Sequence, residues 1–163
     1  MNTYSIPAVA SISIPLTGEW HFSVDQDRTG EQNGWEDSDF DDSSWTVVNV
    51  PHTWNIMPTY SEYEGIAWYR RVFRAPEEIK NAHVRLKFDA VFYLARVWLN
   101  GQYLGQHEGG YTPFEFDVTS LVKKSESNLI AVQVDNLRAT NRIPVVIRPD
   151  WSFDWWNYGG ITR

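Results

Sequence analysis

Apolar and charged side chains alternate along this chain with a period of two. In Val84-Arg85-Leu86-Lys87-Phe88-Asp89 they take strict turns, a pattern that an extended backbone sorts onto one dry and one wet face. Leu94-Ala95-Arg96-Val97-Trp98-Leu99 reads as the next strand. It runs into Asn100-Gly101, a pair suited to a type I′ turn, whose two central residues need positive φ. Gln102-Tyr103-Leu104-Gly105 is the predicted return strand, and Phe114-Glu115-Phe116-Asp117-Val118 alternates again. Leu129-Ile130-Ala131-Val132-Gln133-Val134 is almost wholly apolar, as suits a central strand buried on both faces. Gly18 to Val24, Thr46 to Val50 and Trp68 to Arg74 are further strand candidates. No segment carries a long amphipathic helical pattern. Short helical turns are expected at Asp37 to Ser44 and Thr119 to Val122. Many short strands between turn signals predict an all-β fold, a jelly-roll β-sandwich. Gln26 to Ser44, rich in Asp, Gly and Ser, is expected to be a long surface loop; Leu137 to Phe153 is a second.

A chain of 163 residues suffices for one domain with a full core. No apolar run reaches the roughly 18 residues of a membrane-spanning helix. The start, Met1 to Pro7, lacks the basic and long apolar parts of a signal peptide. A net charge of −7 with scattered Lys and Arg argues against nucleic-acid and anionic membrane partners. Cysteine is absent, which excludes disulfides, thiolate metal sites and a cysteine nucleophile. It leaves the compartment open between a bacterial cytoplasm and periplasm. His21, His52, His83 and His107 lack metal-ligand spacing. The acidic run Asp37-Ser38-Asp39-Phe40-Asp41-Asp42 lacks the glycine and spacing of a calcium loop and reads as a solvated loop. No metal and no cofactor are expected.

Aromatics make up 15% of the chain, and most of them fit a large β core. One group stands apart, where Trp151, Phe153, Trp155, Trp156 and Tyr158 crowd around Asp154. Flat rings pack against the CH-rich face of a pyranose. A carboxylate accepts two hydroxyl hydrogen bonds at once, and charge-assisted bonds are the strong kind. Asp154, Trp155, Trp156, Asn157 and Tyr158 are therefore the candidate sugar-binding residues. Alternation means that the rings cannot all face one way, so at least one is expected to anchor the loop. Asn157 is expected to fix the loop or to bind sugar, and Gly159-Gly160 to permit a positive-φ bend. Gly109-Gly110-Tyr111-Thr112-Pro113-Phe114 precedes no helix and so is not a phosphate loop. Its glycines are expected to allow close packing at a sandwich corner, with His107 in a structural role. Nothing pairs Glu62, Glu64, Glu108 or Glu115 at the roughly 5–5.5 Å that a retaining glycosidase needs. No catalytic residue is assigned.

Five segments in order carry a resemblance. They are Trp68-Tyr69-Arg70-Arg71, Phe88-Asp89-Ala90-Val91, Val97-Trp98-Leu99-Asn100-Gly101, the stretch His107 to Thr119, and the stretch Asp154 to Arg163. Together they resemble the N-terminal domain of glycoside hydrolase family 2, over roughly Pro15 to Arg163. That family contains β-galactosidases, β-glucuronidases and β-mannosidases, and the blocks at Gly109–Phe114 and Asp154–Tyr158 look most like β-glucuronidases. The resemblance implies an extension over residues 1–14. It implies a galactose-binding-domain-like jelly roll over 15–163 that lacks its final strand. It further implies a non-catalytic domain of a retaining β-glycosidase, whose immunoglobulin-like sandwich and (β/α)8 barrel are absent. The barrel carries both catalytic glutamates in that family. Asp154 matches the aspartate that reaches from the first domain to the sugar hydroxyls. The implied partners are a β-glycoside carbohydrate and the absent domains. The alternative is a free-standing carbohydrate-binding module or lectin, which needs a complete pocket in this chain. An unfinished jelly roll also predicts an exposed sheet edge and some self-association.

Overall fold

The computed structural model describes residues 11–136 and 158–163, with Lys80 and Asn81 by their backbone only. The strands are β1 (Gly18–Asp25), β2 (Thr46–Val50), β3 (Ile66–Arg74), β4 (Arg85–Phe88), β5 (Val91–Phe92), β6 (Leu94–Leu99), β7 (Gln102–Glu108), β8 (Phe114–Asp117), β9 (Ser127–Asp135) and β10 (Gly160–Ile161). Six form one antiparallel sheet in the order β2-β1-β3-β9-β6-β7. The pairs β4-β8 and β5-β10 make two short antiparallel ladders. Their inward residues join the large sheet's core. This is the all-β sandwich that the alternation predicts.

Alternation does the sorting. Trp20 and Phe22 on β1, Val48 and Val50 on β2, and Ala67 and Tyr69 on β3 share one face of the large sheet with Ala95, Val97 and Leu99 on β6. Ile130, Val132 and Val134 on β9 complete that face. They pack with Leu86 and Phe88 of β4, Val91 of β5 and Ile161 of β10. Fully burying one such side chain contributes about 1.5–3 kcal/mol. On β4, Leu86 and Phe88 are buried while Arg85 and Lys87 are exposed. Asn100 and Gly101 have φ of 53° and 80°, the turn that their sequence predicts.

Several elements differ from expectation. β7 continues to Glu108 through an irregularity opposite Val97 and Trp98. Strands β5 and β10 have two residues each, too few to show a period. Asp37 to Ser44 and Thr119 to Val122 form short hydrogen-bonded turns, the second with one helical i→i+4 bond from Val122 N to Val118 O at 3.0 Å. Among the described residues, short 3-10 helices lie at Trp54–Ile56, Pro58–Tyr60 and Glu77–Asn81. Pro58 starts one of them, where its fixed φ favours a tight turn. Among the described residues the large sheet's outermost strands are β2, which is short, and β7, which is bulged; both features discourage strand addition.

The largest departure is on the sheet's outer face. Gln26 to Ser44 is not simply a solvated loop: it folds over that face. Trp35 and Trp45 pack on the buried Trp68, Trp98 and Ala131. The roof is held by two buried charges. Arg70, 3% exposed, donates to the carbonyls of Trp35, Asp37 and Phe40 and to the Asp42 carboxylate, the last at 2.6 Å. Asp25, also 3% exposed, accepts from the backbone N–H of Thr29 (2.9 Å) and Gly30 (3.0 Å) and from the Trp68 indole (3.1 Å). The acidic run expected to be solvated thus supplies Asp42, whose second oxygen lies 2.8 Å from His21 Nδ1.

Candidate functional site

Asp154, Trp155, Trp156 and Asn157 lie outside the described residues. Tyr158 lies within them, on the surface, with 45% of its area exposed. What can be built is the frame on either side of 137–157: Asn136, just past β9, and Tyr158, just before β10.

One turn, Trp54 to Gly65, grips both ends. On one side, Gly65 N donates to Asn136 Oδ1 at 2.8 Å, and Asn136 N donates to the Gly65 carbonyl at 3.2 Å. On the other, Gly159 N donates to Asn55 Oδ1 at 2.9 Å, and Trp54 N donates to the Gly159 carbonyl at 3.1 Å. Asn55 Nδ2 faces the carbonyls of Tyr60 (3.3 Å), Ser61 (3.1 Å) and Tyr63 (3.1 Å). The Trp54 indole N–H also donates to Tyr63 O. A Cβ on Gly159 would lie 1.9 Å from Trp54 Cζ2, so glycine is required there by close approach. The expected positive φ is found at Gly160, at 150°. β10 then joins β5, and Ile161 O accepts from His52 N at 2.8 Å.

The rings around this frame are held by hydrogen bonds and ring contacts. His52 Nδ1 lies 2.8 Å from the Tyr69 hydroxyl, and its ring packs edge-on against Phe22. Burial lowers the His52 pKa and pushes Tyr69 well above the ordinary phenol value. Burial, aided by the charge of Asp25, pushes Tyr63 up to about 12. Its hydroxyl donates to Ile66 O at 2.7 Å. A general acid or base works best with a pKa near the ambient pH, and burial moves all three rings away from neutrality.

The other motifs take structural positions. A Cβ on Gly110 would lie 2.1 Å from Phe92 Cδ2, which is the close corner packing expected. His107 Nε2 lies 3.0 Å from Thr112 Oγ1, and its ring stacks on Phe114 at 4.4 Å. Among the described residues no group of three His, Cys, Asp or Glu is placed to hold a metal ion.

Asn55 and Asn136 were not singled out by sequence. Their one signal is a carboxamide beside a strand end or an aromatic, at Asp135-Asn136 and at Trp54-Asn55. That signal is common, and its meaning depends on which backbone groups lie opposite.

The match to known proteins covers nearly the whole chain. Residues 14–163 match the family model described as "Glycosyl hydrolases family 2, sugar binding domain". A β-galactosidase of Thermoanaerobacter pseudethanolicus is 40% identical over 131 residues, covering 77% of this chain and 17% of that protein. A β-glucuronidase of Formosa agariphila is 33% identical over 145 residues, covering 78% of this chain and 14% of that protein. The chain therefore spans less than a fifth of the length of these relatives. Among solved structures, a β-glucuronidase of Lactobacillus rhamnosus superposes with a TM-score of 0.78 at 32% identity, covering 90% of this chain and 26% of that one. A β-glucuronidase of Ruminococcus gnavus, in complex with uronic isofagomine, gives a TM-score of 0.78 at 25% identity, with the same coverage.

Proposed function

The chain belongs to glycoside hydrolase family 2, as its sugar-binding domain, and from that membership we propose that it serves a longer retaining β-glycosidase of the β-galactosidase or β-glucuronidase type. In this reading the domain does no bond-breaking chemistry. Asp154 accepts hydrogen bonds from sugar hydroxyls, while Trp155, Trp156, Asn157 and Tyr158 divide between walling a glycone site and anchoring the loop that carries it. A catalytic barrel elsewhere in the longer polypeptide supplies the rest, including both carboxyls of the double displacement. The domain's contribution is orientation: binding energy spent here holds the sugar where the barrel can act. One observation carries the reading. The family match runs through Arg163 and so takes in the whole Asp154–Arg163 block.

Magnitudes favour a shared site over a self-contained one. A charge-assisted hydrogen bond contributes about 1.5–3 kcal/mol, whereas association costs roughly 4–15 kcal/mol in lost freedom. One carboxylate and one stacked ring therefore leave binding at about millimolar or weaker. Two-dimensional amide and indole NMR of this chain with glucuronic acid, galactose and mannose tests the reading. No saturable shift is expected until tens of millimolar. Saturation below about 1 mM, abolished by Asp154→Ala, would replace the proposal with a free-standing carbohydrate-binding module. In the longer enzyme, Asp154→Ala is expected to lower kcat/KM by about 10- to 150-fold, the kinetic equivalent of one charge-assisted bond.

A further inference from the structure

We infer that Asn55 is a positioning residue, setting where the chain re-enters the fold after 137–157 and hence how Asp154 is presented. The inference rests on the role proposed for Asp154, and its geometry lies wholly in described residues.

The Asn55 carboxamide is fully used. Its oxygen accepts the Gly159 N–H, and its nitrogen faces the Tyr60, Ser61 and Tyr63 carbonyls. It therefore ties the returning chain to the far side of its own turn. That same turn ends at Gly65, which exchanges two hydrogen bonds with Asn136 on the departing side. The separation of the two ends is thus set by the internal shape of one twelve-residue turn, and Asn55 cross-braces that turn. Packing alone cannot do this, because a flat indole face permits sliding whereas a carboxamide fixes direction. Asn55 is also half-buried at the margin and belongs to no core cluster, so its loss need not disturb the sandwich.

The test uses no sugar, so a failure of the proposed function leaves it intact. Indole signals of Trp151, Trp155 and Trp156 are assigned by single Phe substitutions and compared in wild type, Asn55→Ala and Asn55→Asp. The Asp variant keeps the oxygen that faces Gly159. In Asn55→Ala the three signals should move, with that of neighbouring Trp54, while those of Trp20, Trp68 and Trp98 stay in place. The Gly159 amide should exchange about tenfold faster, as expected for the loss of one net hydrogen bond. Asn55→Asp, which sets an acceptor oxygen against the Tyr60, Ser61 and Tyr63 carbonyls, should fail to return the three signals; their full return would mean that the oxygen alone suffices and that the cross-brace plays no part. If Gly159 loses protection while the three indoles stay put, Asn55 does not position the segment. If all nine indoles move, or the chain fails to fold, Asn55 is a general structural residue and the inference falls.

Discussion

The two faces of the six-stranded sheet are buried by different means. The inner face meets β4, β5, β8 and β10, whose ladders satisfy their own backbone groups, so apolar volume is all that the contact requires. The outer face meets irregular chain, Gln26 to Ser44. A loop lying on a protein's interior brings carbonyls and N–H groups that have lost water and have no ladder to join. The outer face therefore carries buried charge: Arg70 donates to three of those carbonyls, and Asp25 accepts two of those N–H groups. Regular structure can be covered by grease alone, whereas a coil can be covered only if something hydrogen-bonds to it.

Conservative substitutions should pull the two faces apart. Arg70→Met, close in length and apolar, leaves three carbonyls without their donor and leaves the Asp42 carboxylate with His21 alone, and should cost about 3–5 kcal/mol in urea unfolding. Ile130→Leu on the inner face, equally conservative in volume, should cost less than about 1.5 kcal/mol. Equal losses would mean that the roof is held by its tryptophans and not by Arg70. Asp25→Asn is the next test. It keeps the shape and one acceptor oxygen but removes the charge that three donors share, and should cost about 1–3 kcal/mol. The largest amide-exchange increases should fall at Thr29 and Gly30; exchange rising evenly across β1 would argue against a local clasp.

The smallest effect concerns the inner face's own polar contact. His52 has a lowered pKa because burial disfavours its charged form. Above the ordinary imidazole value of 6.5 both folded and unfolded chains are neutral there, so no penalty exists. As pH falls below that value the unfolded chain takes up a proton that the folded chain resists, and stability declines until the lower folded pKa is reached. Wild type should therefore lose more stability than His52→Gln between about pH 7.5 and about pH 5.5. Parallel losses in the two proteins would place the pH sensitivity elsewhere.

Legibility in the sequence followed the range of the interactions. Arg85-Leu86-Lys87-Phe88 could be read because each residue's burial depends on its neighbours' parity, and Asn100-Gly101 because the turn's φ angles belong to those two residues. The run from Leu129 to Val134 announced a strand covered on both sides, and it is one. The composition of Gln26 to Ser44 instead pointed outward. Its Asp, Gly and Ser match a solvated loop as well as a roof, because the groups that make it a roof, Arg70 and Trp68, sit some thirty residues away. The candidate sugar site divides in the same way. Its rings and its carboxylate were readable as candidate chemistry from residue type alone, and of them Tyr158 lies within the described residues, at the surface. The asparagines that brace its frame were not, since a carboxamide has no meaning until its partners are known.

The sequence by itself determined that this chain makes a sandwich, where most of its strands run, and which family its motifs belong to. Those are properties of local periodicity and of residue order. Only the tertiary structure decided that an acidic loop becomes a lid, that two-residue strands close the second layer, and that one turn holds both ends of 137–157. Each of these depends on a buried polar group meeting a partner distant in sequence, and one dimension carries no record of that meeting.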